Sequence, residues 1–273
     1  MTLEEIYIVS NRLRVTIDAD IVVAQAQLGA HFPNGYRDYV TTLGAGYCND
    51  YIRVLLPADI LSDLEEARER WAMFAPSRYK GGRDSLPLER MVESIMLLDT
   101  IDGDEVVFHP DEPNTFYVLP RQDEQIYEIG HTLNDALAWL LSADVLAYRE
   151  RISVLMPTGE FVTRPVCYFV PDAERDVISF TIRKAHHAAL RAHLIALAHG
   201  TTGPTLCLRR SYAGFDGIEG EVLQLFVREY GGEIVCDPFG ADSLNVSVRI
   251  THDAGSHAPS LDDLLTYIQS LIK

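Results

Sequence analysis

Apolar residues first fall into a helical rhythm at Ile17, Ile21, Ala24 and Leu28, behind Asp18 and Asp20, either of which can cap, and Gly29 ends the run. Pro33 suits the first turn of a second helix, whose face is Tyr36, Tyr39, Val40 and Leu43. Gly44 and Gly46 stop that helix, and one of them is expected at positive φ. Tyr51 to Leu55 reads as a short strand closed by Pro57. Ser62 and Glu65 form a capping box for a helix with Leu64, Ala67, Trp71 and Phe74 on one face. Pro76, Gly81, Gly82 and Pro87 mark residues 76–87 as a loop.

The rhythm then shortens to that of a β-meander. Ser94–Ile101 is a strand, and Asp102-Gly103 is a pair favoured in two-residue hairpin turns. Glu105–His109 returns, Pro110–Asn114 turns, Thr115–Leu119 is a third strand, and Gln125–Ile129 a fourth. Thr132 and Asp135 open a helix bearing Leu133, Ala136, Leu137, Leu140 and Leu141. Further on, Phe161–Val170, Val177–Arg183, Thr205–Arg209, Ile234–Cys236 and Leu244–Ile250 read as strands. Lys184–Ala198 reads as a helix. Ile218, Val222, Leu225, Phe226 and Tyr230 suggest another, and Ser260 with Asp263 caps a last one bearing Leu261, Leu264, Leu265, Ile268 and Leu271. The fold class is α+β in two domains, 1–148 and 149–273. The first is expected to be a compact unit by itself.

Length and composition agree with that division. The chain has 273 residues, 47% hydrophobic and 23% charged, which excludes wholesale disorder, collagen and coiled coil. Charge falls unevenly. Residues 1–150 carry 26 acids and 12 bases, and 151–273 carry 14 and 11, so −14 and −3 make up the total of −17. Such a surplus of acid argues against direct binding to nucleic acid or to anionic membranes. Cys48, Cys167, Cys207 and Cys236 are too scattered for a zinc site and read as thiols of a reducing cytoplasm. The acidic start and the lack of a long apolar run suggest a cytoplasmic protein without a signal peptide.

In the first half, Phe32-Pro33-Asn34-Gly35-Tyr36-Arg37-Asp38-Tyr39-Val40 runs on to Gly44-Ala45-Gly46, and Ile52-Arg53-Val54-Leu55-Leu56-Pro57 follows. Then come Ile101-Asp102-Gly103-Asp104-Glu105-Val106-Val107-Phe108-His109-Pro110, Phe116-Tyr117-Val118-Leu119-Pro120-Arg121 and Ile126-Tyr127-Glu128-Ile129-Gly130. In this order the segments resemble the SUKH superfamily of bacterial immunity proteins and fungal cell-wall-synthesis regulators, over about residues 17–141. The resemblance implies a SUKH-like domain, a β-meander flanked by helices, without catalytic activity. It further implies a protein that binds and neutralises a cognate toxin. Residues 149–273 resemble no family.

Candidate chemistry is sparse. Asp99, Asp102, Asp104, Glu105, Asp111 and Glu112 could supply an acid/base pair or an oxygen-rich metal site, but they lack the spacing of a calcium loop. His186 and His193 share a helix face, with His187 and His199 nearby, and lack a Cys or Glu partner at ligand spacing. Gly200–Thr205 follows a helix instead of opening one, which is the wrong polarity for a phosphate loop. Arg209 and Arg210, with Tyr212 and Phe215, are too few for a nucleic-acid footprint. No cofactor, metal or enzymatic activity is expected. The alternatives are a regulatory adaptor, or an enzyme whose site in or beside the second domain draws on the histidines and Asp237.

For partner binding, the expected residues are Asp50, Tyr51, Asp102, Asp104, Glu105 and Glu112, which flank the sheet turns. Many toxins of this class are nucleases with basic clefts, which an acidic face would complement.

Overall fold

The computed structural model describes residues 2–79, 85–142, 151–164, 166–172, 175–200, 205–213, 219–227, 232–239, 243–251, 265–266 and 268–270. It is α+β and divides into two units. The first comprises Met1–Ile6, Leu13–Tyr148 and Phe169–Asp172, and the second Tyr7–Arg12, Arg149–Tyr168 and Ala173–Lys273. The break at 148/149 lies where charge and pattern change. Two short segments are exchanged across it, which no local signal announces.

After a 3₁₀ turn at Leu3–Glu5 comes the first strand, β1 (Tyr7–Ile8), part of the second unit, whose Tyr7 amide donates to the Cys167 carbonyl at 2.9 Å. The first unit then contains α1 (Asp18–Leu28), α2 (Tyr36–Thr42), β2 (Gly46–Cys48), β3 (Ile52–Val54), α3 (Pro57–Arg78) and α4 (Leu88–Glu93). It continues with β4 (Ile95–Thr100), β5 (Glu105–His109), β6 (Glu112–Leu119), β7 (Tyr127–Gly130) and α5 (Leu133–Ser142). In chain order β8 (Arg151–Leu155), β9 (Phe161–Thr163) and β10 (Tyr168–Pro171) follow. The sheet of the first unit runs β10-β2-β3-β4-β5-β6-β7, antiparallel throughout, with Phe169 opposite Cys48 and Pro171 opposite Gly46.

Ile95–Leu98 of β4 and Val106–His109 of β5 are buried at every position, as in strands covered on both faces. α3 packs on β4 and on α1, and α5 packs on β7. The phenols of the core are satisfied. Tyr36 Oη donates to the Leu55 carbonyl at 2.8 Å, and Tyr39 Oη lies 3.2 Å from Cys48 Sγ.

Local chemistry places several boundaries differently from the pattern. α2 starts after Gly35, at φ +88°, because Pro33 spends its carbonyl on the Tyr36 amide at 3.2 Å and stays outside the helix. Gly44 takes φ +73°, and a Cβ there would stand 2.1 Å from the Arg14 carbonyl oxygen. α3 opens at Pro57, whose missing N–H costs nothing at the first helical position. The Leu56 amide is capped instead by Asp59 Oδ2 at 3.2 Å. Ser62 therefore lies inside the helix, and Phe74, expected on the buried face, is 54% exposed. β2 and α4 were too short to leave a periodic signal.

The second unit adds β11 (Arg175–Arg183), α6 (His187–Gly200), β12 (Thr205–Ala213), β13 (Glu219–Val227), β14 (Gly232–Phe239) and β15 (Ser243–Thr251). Its antiparallel sheet runs β11-β15-β14-β13-β12-β8-β9. Leu190 and Leu194 of α6 join Cys207, Leu223, Leu225, Val227, Ile234, Val246 and Ile268 in one core. The segment expected as a helix around Val222–Phe226 is instead the strand β13. It sits between β12 and β14, and Val222 to Val227 are all buried. A short apolar run carries no period that separates a central strand from a buried helix, and Gly220 tells against the helix. The expected span 161–170 splits into β9 and β10. Most of the last expected helix lies outside the described residues.

Candidate functional site

Two features of the first unit stand apart from an ordinary folded surface. They are the surroundings of the β4–β5 turn and the outer side of α1.

The turn is built by a short polar circuit. Thr100 accepts from the Gly103 amide through its carbonyl at 2.9 Å, and its own amide donates to the Asp104 carbonyl at 3.0 Å. Gly103, at φ +86°, lets the chain reverse and leaves room for the Arg121 side chain, which a Cβ would meet at 3.0 Å. The Asp104 carboxylate then accepts from Thr100 Oγ1 at 3.0 Å, Tyr51 Oη at 3.2 Å and the Arg121 amide at 2.8 Å. Asp104 is 3% exposed and Tyr51 2%. Burial, chiefly, pushes the Tyr51 phenol well above its ordinary pKa, so it is a neutral donor at any ordinary pH. Asp104 is thus a structural acceptor tying β3, the turn and the end of β6 together.

This corrects part of the expected partner-binding set. Tyr51 and Asp104 are inside the domain and cannot touch a partner. Glu105 is spent inward: Arg70 donates to it at 2.5 Å, and the Trp71 indole N–H at 2.6 Å. Glu112 pairs with Arg90 at 3.1 Å on the surface. Asp50 has φ +54° beside the β2–β3 turn, and Asp102 is half-buried in the hairpin turn. The six residues therefore do not form one exposed acidic face. Acid pairs absent from the sequence reading take up others: Asp99 holds Arg53 across β3 and β4, and Asp123 accepts from Tyr127 Oη at 2.6 Å.

Beside the turn lies a cleft of about 240 Å³, lined by Arg70, Trp71, Phe74, Ala75 and Arg78 of α3 together with Tyr79, Gly103, Glu105, Leu119 and Arg121. Arg78 donates to the Arg121 carbonyl, and Arg121 Nη1 to the Asp102 carbonyl at 3.4 Å. Among the described residues no carboxylate pairs with either guanidinium. Sequence reasoning missed this cleft, although Arg70, Phe74 and Arg78 fall at i, i+4 and i+8 of one helix.

The outer side of α1 is apolar too. Ile21 and Ala24 face the core, while Ala19, Val22, Val23 and Ala26, at i, i+3, i+4 and i+7, face solvent. Val22 and Val23 are 55% and 53% exposed, and Ile17 and Val15 before them 61% and 44%. Asp18 and Asp20 border this stripe, Asp18 within 3.5 Å of Arg37 Nε.

Other candidates lose their chemistry. Among the described residues no group of three or more His, Cys, Asp or Glu side chains is placed to hold a metal. His187 Nε2 lies 3.1 Å from the Ile182 carbonyl oxygen. The Arg209 guanidinium sits over the Phe161 ring at 4.8 Å, and Arg210 donates to Tyr168 Oη at 2.8 Å. Both arginines therefore brace the second unit; Phe215 lies outside the described residues. All four cysteines are buried, and burial pushes the Cys207 and Cys236 thiols up to about 12, too high for a nucleophile. No described helix is long and apolar enough to cross a membrane. In comparisons with protein families, with characterised proteins and with solved structures, nothing matches the chain.

Proposed function

We propose that the protein is a binding protein that acts through its acidic first unit, most specifically an immunity protein that neutralises a cognate toxin in the cytoplasm. The observation that carries this reading is the second apolar stripe of α1. A helix that buries one apolar face and presents another to water loses hydrophobic free energy at every exposed valine, which a partner surface recovers. The stripe is bordered by Asp18 and Asp20, in a half of the chain with a net charge of −14. Its complement is an apolar surface with a basic rim, the surface expected of a toxin built to hold nucleic acid. The SUKH-like order of elements supports the same reading.

The test is growth rescue and direct binding with a toxin encoded beside this gene. Val22→Ser with Val23→Ser should raise the dissociation rate and abolish rescue at an unchanged melting temperature. Asp18→Lys with Asp20→Lys should slow association, most at low salt. Full rescue by both double variants would refute α1 as the binding surface.

A further inference from the structure

We propose that the cleft between α3 and the β4–β5 turn is a binding site for a small flat organic anion, an aromatic ring bearing one carboxylate or phosphate. The site is separate from the α1 stripe and does not depend on the toxin reading. Its lining sorts into two chemistries. Trp71, Phe74, Ala75, Tyr79 and Leu119 supply apolar and aromatic wall, and Phe74 is 54% exposed at its mouth. The polar groups are almost all donors, from Arg70, Arg78 and Arg121.

Three guanidinium groups around one cleft are unexpected in a half with 12 bases against 26 acids. In solvent such like charges repel only weakly, and an anion placed among them is attracted to all of them. Among the described residues Glu105 is the one carboxylate in the lining, and it is engaged by Arg70 and by the Trp71 indole. Among the described residues, Arg78 and Arg121 donate to backbone carbonyls and pair with no carboxylate. Each guanidinium presents five N–H groups in a plane suited to paired contacts with carboxylate or phosphate oxygens. Their carbonyl partners use few of these. A volume of about 240 Å³ admits a single ring with its anionic group. The aromatic wall selects a ring over a bare ion, because a stacked or edge-on ring recovers apolar area as well.

The Trp71 indole N–H, already bonded to Glu105 in the cleft, is the reporter. In a nitrogen–proton correlation spectrum the full chain gives two indole signals, from Trp71 and Trp139. A Trp139→Phe variant assigns them. Titration with phenyl phosphate or with benzoate should shift the Trp71 signal saturably, with a Kd of roughly 1 mM or tighter. Binding of one probe but not the other identifies the anionic group. Inorganic phosphate and benzyl alcohol should bind at least about tenfold more weakly, since each lacks one half of the recognition. Arg78→Ala with Arg121→Ala should weaken binding about tenfold or more. Neither side chain is buried, so the thermal midpoint should hold. Arg121→Ala alone, which leaves the Arg121 amide on Asp104, should weaken binding in part and serves if the double variant fails to fold. An unmoved Trp71 signal at 10 mM of both probes, equal affinity for inorganic phosphate, or undiminished binding by folded arginine variants would overturn the proposal.

Discussion

Replacing Asp104 separates a structural carboxylate from a surface one. In Asp104→Ala, Thr100 Oγ1, Tyr51 Oη and the Arg121 amide all lose their acceptor. The amide is near enough to the surface to find water. The two hydroxyls are buried, and stranding a buried donor costs about 1–3 kcal/mol. The expected loss is therefore about 2–5 kcal/mol. Asp104→Asn should cost only about 1 kcal/mol, because its Oδ1 can keep the amide bond while the hydroxyls rotate to accept from Nδ2. Asp104→Lys should be worst, since it adds a buried cation beside Arg121. Urea unfolding followed by tryptophan emission measures all three. With a slope of about 2 kcal/mol/M, alanine should lower the midpoint by about 1–2.5 M and asparagine by about 0.5 M. Equal midpoints for the two variants, or asparagine below alanine, would refute the hydrogen-bond account. A surface role predicts the contrary pattern: all three as stable as the parent, and binding altered.

Three further outcomes follow from the geometry. Gly44→Val should destabilise the first unit by more than the roughly 1 kcal/mol of a disallowed φ, because the added carbon meets the Arg14 backbone, and calorimetry would read a lowered melting temperature. Asp135 accepts from the His131 and Thr132 amides at 3.3 and 3.0 Å, and its carboxyl lies below the ordinary range, first because of the Thr132 hydroxyl. Its contribution is present above pH ~4 and lost as pH falls through the depressed folded value. Asp135→Ala should accordingly cost about 1 kcal/mol at pH 7, with the gap to the parent closing in denaturant titrations below pH ~4. Glu233 is buried in the second unit, where Gln224 Nε2 at 2.5 Å and Arg249 Nη1 at 2.9 Å both donate to it, so Glu233→Ala should cost about 3–5 kcal/mol in a melt.

The features legible in the sequence were those with a local cause. Thr132 with Asp135, Asp102-Gly103 and Gly29 each specify their own neighbourhood, and α5, the β4–β5 turn and the end of α1 stand where they indicate. β13 was misread because burial on both faces erases the period that tells strand from helix. The acids were misread for a related reason. Composition counts charges, but whether Asp104 faces water or Tyr51 depends on residues 53 positions apart meeting in space. The arginine cleft and the outer valines of α1 were visible as spacings. Ile21 and Ala24 describe the buried side of α1, while Ile17, expected on that face, is exposed before the helix, and Val22 and Val23 belong to a second face that a search for a single one passes over.

The pairing of Phe169 with Cys48 also sets a clock. Synthesis at about 5–20 residues per second delivers β10 roughly 6–24 s after β2. Throughout that interval the backbone of Gly46–Cys48 lacks its neighbour on one side, an open strand edge on a nascent chain. A fragment ending at residue 148 would keep that edge open permanently. Expressed alone it should self-associate, and its solubility should return when residues 161–172 are supplied.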